Sequence, residues 1–222
     1  MRPRLTSRKI DGKYIATEFV LIVVGILLAI NSNTWTSNRK LDAQSKTSLE
    51  KIRNESVRNI EELEKSLTSN ERAQTLYTAF LTLQEEADTA SIDYVIAKLG
   101  PMVAEYGDQM GISSEEVGQA ARALGDIQLP VDLELAELND IAWQAAKLSN
   151  TVNQFEYDCL SELLSIYNLQ SLFLTEQGKL IDTIVEQDLN KLRIVLNIGL
   201  QLGNELQGRY RSLLNEENAC SI

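Results

Sequence analysis

The chain has 222 residues and a mass of 24.9 kDa, with 21 basic and 32 acidic side chains, no histidine and two cysteines. The missing histidine excludes Ser-His-Asp and Cys-His machinery and any His-bearing zinc site, and two cysteines cannot build a four-cysteine cluster or a disulfide-dense scaffold. A net charge of −11 argues against a nucleic-acid partner, whose phosphates need a basic surface.

The charge is unevenly spread. Residues 1–35 carry five basic and two acidic side chains, whereas 36–222 carry 16 basic and 30 acidic ones. Between Lys13 and Arg39 the only charged residue is Glu18, and Phe19 to Ile30 is unbroken apolar sequence. That run alone makes about 18 Å of helix, but Tyr14 to Trp35 makes about 33 Å, enough for the ~30 Å hydrocarbon core, with aromatic residues at both ends. The reading is a basic cytoplasmic tail over 1–13, a transmembrane helix over 14–35 and an acidic helical domain over 36–222. A cleaved signal peptide is the competing reading, but Ser32-Asn33-Thr34 is a poor imitation of an A-x-A cleavage site. Basic residues flank both ends of the span, so charge alone leaves orientation open. A short basic tail is harder to translocate than a large acidic domain, which favours a cytoplasmic N-terminus and an extracytoplasmic bulk.

Inside the span, Glu18, Ile22, Gly25, Ala29 and Ser32 follow at four- and three-residue steps and share one helix face. The small pair Gly25 and Ala29 lets another helix approach, and Glu18 prefers a partner to lipid. Glu18, Ile22, Gly25 and Ala29 are therefore candidate intramembrane contacts, to a second copy or to another membrane protein. Glu18 near the headgroups, beside Lys13, is the plainer alternative.

The run from Glu18 to Asn31, followed by Asn33, Trp35, Arg39 and Lys40, resembles the opening of the DUF6090-type family, uncharacterised bacterial proteins with a single span. A later stretch, Ala142 to Ser149 with Tyr157, Leu160 and Tyr167, is similar more loosely. Thr34 separates Asn33 from Trp35, where many relatives have the two adjacent. The resemblance implies anchorage in the bacterial inner membrane and a helical build, and it implies no activity.

Past the span, Leu49, Ile52, Ser56, Ile60, Leu63 and Leu67 recur at helical steps, and Ala73, Leu76, Phe80 and Leu83 continue the stripe. No proline or glycine falls between Lys40 and Leu99, so one rod from Lys40 to Glu86 is expected, or two helices broken near Ser69-Asn70-Glu71. Gly100-Pro101, four further glycines and Pro130 punctuate the middle third, which reads as short helices and loops. Ser113 to Glu116 offers a capping box for a helix to about Leu124, and another helix starts at Asn139 or Asp140 and carries Trp143. Leu160, Leu163, Tyr167 and Leu174 mark a long helix whose stripe Gln170 interrupts. Leu189, Leu192, Leu196, Gly199, Gly203 and Leu206 form a last seam at alternating threes and fours, fitting a coiled coil or an ordinary bundle helix.

The expected fold is all-α: one N-terminal transmembrane helix, then an antiparallel helical bundle with long first and last helices, two long helices returning. Cys159 and Cys220 form a disulfide if the domain is extracytoplasmic, although Cys159 also suits a buried thiol. Paired carboxylates such as Glu61-Glu62 and Glu115-Glu116 point in different directions on a helix, and no nucleotide-binding or hydrolase motif appears, so no enzyme, cofactor or metal is expected. The function expected is an interaction or scaffold module tethered to the lipid bilayer, as a homo-oligomer or beside a membrane-protein partner. The alternative is an extracytoplasmic small-ligand sensor or accessory subunit signalling through a separate membrane partner, for which Trp143, Tyr157 and Tyr167 are candidate pocket lining, although core positions suit them better.

Overall fold

The structure, a computed structural model, describes residues 12–127, 129, 133–186 and 189–220, with the side chains of 12–20, 22, 26–38, 109, 126 and 189 outside the description. Six α-helices and two 3₁₀ turns are present among the described residues, and no strand. Helix α1 spans Gly12–Ala87 without a break. Ser69 and Asn70 do not interrupt it, because the Asn70 side chain bonds to a distant segment instead of competing for its own backbone.

Beyond α1, Ser91 caps α2 (Ile92–Met110), accepting the Tyr94 N–H at 3.3 Å. α2 runs straight through Gly100-Pro101, which the sequence reading takes as punctuation; its buried stripe of Val95, Leu99 and Val103 outweighs one lost backbone bond. It ends at Gly111, whose φ of +63° favours a residue without a Cβ and whose N–H reaches the Gly107 carbonyl. The Glu116 carboxylate then takes both the Ser113 N–H and hydroxyl, at 2.9 and 2.7 Å, which holds its pKa below the usual carboxylate range. Helix α3 (Val117–Arg122) begins only after this turn, three residues later than the capping box suggests.

Residues 133–140 form an extended segment that runs down α1 into α4 (Ile141–Leu148) and a 3₁₀ turn (Thr151–Gln154). The turn meets α1 at the foot of the bundle, about halfway along the helix, through Ser48 and Thr151, whose hydroxyls lie 3.0 Å apart. Helix α5 (Tyr157–Glu186) climbs from there and α6 (Leu189–Leu214) descends. The direction is fixed by cross-links: Arg53 binds the last carbonyls of α6, Tyr210 meets Asn59, and Gln74 meets Asn197.

The sequence reading of two long helices returning is thus corrected. Only α6 returns. α5 runs parallel to α1, because the extended segment and α4 have already brought the chain back to the base.

α6 packs directly against both α1 and α5. Leu192, Leu196, Leu206, Tyr210 and Leu213 are all buried there. At Gly203 the helices come so close that a Cβ would lie 2.6 Å from Leu67 Cδ2 and 3.0 Å from Phe173. The seam read from the sequence is therefore filled within one chain.

The expected span, 14–35, falls in the first part of α1, where the backbone is helical but most side chains lie outside the described residues. Among the described residues no helix is long and apolar enough to cross a membrane.

Candidate functional site

The most organised polar feature of the bundle is built on α1. Glu55, Asn59, Ser66 and Asn70 stand four, seven and four residues apart, on one helix face, and all four are buried. Buried polar groups persist in a core only when bonded, so this stripe needs partners. It finds them in the extended segment 133–140, which lies along α1 with α5 on its other side.

Three amides grip the segment by its backbone. Asn70 donates to the Glu134 carbonyl at 2.9 Å and accepts the Glu134 N–H at 3.0 Å. Asn59 does the same at Asn139, at 2.8 and 2.9 Å. From α5, the Gln177 carboxamide sits against Ala136, and with its oxygen turned toward the Ala136 N–H it accepts there at 2.7 Å and donates to the Ala136 carbonyl at 3.3 Å. Ser66 adds a bond to the Glu134 carbonyl and Gln170 one to the Asn139 carbonyl. A carboxamide carries one acceptor and two donors, so a single side chain can satisfy both the N–H and the C=O of one residue.

The register follows from two rises. Asn59 to Asn70 covers about 16.5 Å of helix at 1.5 Å per residue, and Glu134 to Asn139 covers about 16.5 Å of extended chain at 3.3 Å per residue. Gln170 to Gln177 spans about 10.5 Å, which matches the three extended residues from Ala136 to Asn139. Helix and segment therefore stay in step.

Below the segment, Glu55 accepts the Ala142 N–H at 2.7 Å and the Tyr167 hydroxyl at 2.8 Å. It thereby caps the start of α4, where the Asp140 carboxylate accepts from the Gln144 side chain and makes no capping bond to the backbone. Tyr210 of α6 donates to Gln170 at 2.6 Å and accepts from Asn59 at 3.1 Å, which ties the third long helix into the network. Burial, and then the Glu55 carboxylate, push the Tyr167 phenol far above its ordinary value, and burial does the same to Tyr210. Both tyrosines therefore stay protonated and serve as donors.

This arrangement holds main chain. It exposes no nucleophile paired with a base, and among the described residues no group of cysteine and acidic side chains converges on a metal site. Of the aromatic trio, Trp143 and Tyr167 are buried in the core, Tyr157 is not, and the three line no common pocket. Trp143 and Tyr167 stack on each other, centroids 5.1 Å apart and 4° from parallel, with the Lys147 ammonium over the Trp143 ring, while Tyr157 is 82% exposed.

Of the span residues singled out, Glu18, Ile22 and Ala29 have side chains outside the described residues, and Gly25 is exposed with open space where a Cβ would stand. Leu189 likewise has its side chain outside the description, and at Gly199 a Cβ would find Leu180 at an ordinary 4.0 Å. Cys159 and Cys220 are joined in a disulfide, with Cα atoms 4.8 Å apart, pinning the C-terminal tail to the foot of α5.

The amide stripe is what sequence reasoning missed. Its signal was present: polar residues at whole-turn spacings, 59 with 70 and 170 with 177, set inside long apolar helices. Gln170 was visible as an interruption of a stripe, and the interruption is a hydrogen-bonding position.

Comparison with protein-family models, with curated proteins and with solved structures finds no match to this chain.

Proposed function

We propose that this protein is a membrane-anchored interaction module, in which a helical bundle stands on a single span and presents a binding surface outside the cytoplasm. The observation that carries the reading is the continuity of α1 from Gly12 to Ala87. About 33 Å of helix links the end of the apolar run at Ile30 to the first fully buried apolar residue of the bundle core, Ile52, with no joint between them. A binding event at the bundle and a contact at the span then act on one rigid element.

The Cys159–Cys220 disulfide supports an oxidising compartment for the bundle, and with it a cytoplasmic N-terminus in a bacterial inner membrane. The resemblance of the opening residues to the DUF6090-type family points the same way. Glu18, Ile22, Gly25 and Ala29 form the face offered to a second copy or to a membrane-protein partner.

Two measurements test the proposal. Membranes washed at alkaline pH should retain the chain, and protease added outside intact spheroplasts should remove the bundle while sparing the N-terminus. Recovery in the wash sinks the anchor. Crosslinking before detergent extraction should capture an oligomer or a membrane partner, and Gly25→Ile and Glu18→Leu should weaken that capture. Unchanged capture by both variants removes the intramembrane face from the proposal.

A further inference from the structure

We infer that the groove between α1 and α5 is a receptor for an extended polypeptide segment, and that residues 133–140 are its resident, displaceable occupant. The inference deepens the interaction-module reading and rests on it for its biological setting. It names the partner's chemistry: an extended stretch of another protein, held through its main chain.

Three observations carry it. First, the grip is on backbone. Asn70, Gln177 and Asn59 each close a two-bond ring on the main chain of one residue, at Glu134, Ala136 and Asn139, and such rings form with almost any residue at those places. Second, the segment brings few side chains of its own into the core. Within 133–140 only Ala136 is buried, while Leu133 and Leu138 are half-buried against the edge of the core and Leu135 is 40% exposed. An ordinary structural connection would be held by large buried side chains, which cost several times more to extract than an alanine. Third, the groove lies at the surface along its length: Leu135, Glu137 and Asn139 face solvent on the segment's outer side.

The side-chain requirements are correspondingly sparse. Lys65, largely exposed on α1, pairs with the Glu134 carboxylate at the upper end. The position two residues on must be small, as Ala136 is, because it is buried between the helices. The ligand class is therefore an extended segment with one carboxylate and, two residues later, an alanine, glycine or serine. A competing segment must displace an occupant already tethered beside the groove, so its apparent affinity is reduced by the fraction of time the groove stands open.

Hydrogen exchange on the full-length protein in detergent micelles tests displaceability without any variant. The amides of Glu134, Ala136 and Asn139 should exchange through local opening, at least about a hundredfold faster than the buried amides of α6 around Leu206. Exchange of both sets at one common rate overturns the inference, because the segment then leaves only when the bundle unfolds. The second arm uses a fluorescent peptide with the sequence of residues 133–140, titrated by anisotropy. Ala136→Trp in the protein should block its own segment and tighten peptide binding by about tenfold or more. Adding Asn59→Leu and Asn70→Leu should abolish it. A folded Ala136→Trp protein that binds no peptide also overturns the inference, and should that variant fail to fold, hydrogen exchange on the native protein decides. Peptide binding by a chain that washes off membranes would sink the anchor alone. Firm anchorage without peptide binding or local opening would sink the groove alone.

Discussion

The two flanks of α1 are built on opposite principles. Against α6 it packs directly and antiparallel, with Gly203 letting the helices close until Leu67 and Phe173 fill the space a Cβ would take. Toward α5 it runs parallel, and the extended segment 133–140 lies along the groove between them, bonded to α1 by Asn59, Ser66 and Asn70 and to α5 by Gln170 and Gln177. The first flank is close-packed and stabilised mainly by burial, with the buried Asn59–Tyr210 bond crossing it at one level. The second is a polar ladder, whose net contribution per bond is only about 1 kcal/mol because the same groups bond to water when released. One chain thus carries a seam suited to permanence beside one suited to exchange.

That contrast can be broken from several sides. The largest effect is expected at the foot, where the disulfide secures α5 to the tail that follows α6 and so supports both flanks. Its cysteines are 61 residues apart, a separation worth about 4 kcal/mol in the chain-entropy account. Denaturant unfolding of the Cys159→Ser/Cys220→Ser variant, or of reduced protein, should show a loss of that order with the helical content kept.

Next in size is the ladder itself. Asn59→Leu leaves the Asn139 N–H without its acceptor and costs Tyr210 a donor, about 3 kcal/mol in all. The contrast predicts that the loss falls on the segment and on α4, read by hydrogen exchange, while α6 stays protected. A uniform loss through α6 would mean that the two flanks are one cooperative unit.

Alkaline pH probes the tyrosines that tie the network together. Tyr167 and Tyr210 have folded pKa values raised above the ordinary value of about 10. Their contribution is fully present below pH 10. Above it the unfolded chain releases protons that the folded chain retains, so stability falls by up to about 1.4 kcal/mol per pH unit for each tyrosine. Tyr210→Phe should reduce that slope by about half, as measured by thermal melts between about pH 9 and 11.5.

The smallest effect sharpens the close-packed flank. Gly203→Ala pushes a methyl into Leu67 and Phe173 and should cost about 1–2 kcal/mol, whereas Gly199→Ala meets Leu180 at 4.0 Å and should gain up to about 1 kcal/mol from helix propensity. Paired thermal melts of the two variants check the opposite signs.

The sequence by itself determined the helices and their apolar faces. Spacing at threes and fours is a local property of one helix, so the stripe from Leu49 to Leu83 and the seam from Leu192 to Leu206 were legible before any partner was known. The buried Asn59, Asn70, Gln170 and Gln177 were legible only as residues out of place, since polarity at a core position says that a partner exists and not which one. The tertiary structure decided that the partner is backbone of the extended segment, 64 positions away along the chain for the Asn70–Glu134 pair. It also decided that α5 climbs beside α1, because direction depends on how far the connecting segment carries the chain before the next helix begins. Local periodicity carries no record of that distance. Only packing in three dimensions, where about 1.5 Å of helix rise meets about 3.3 Å of extended chain, fixes which residues meet.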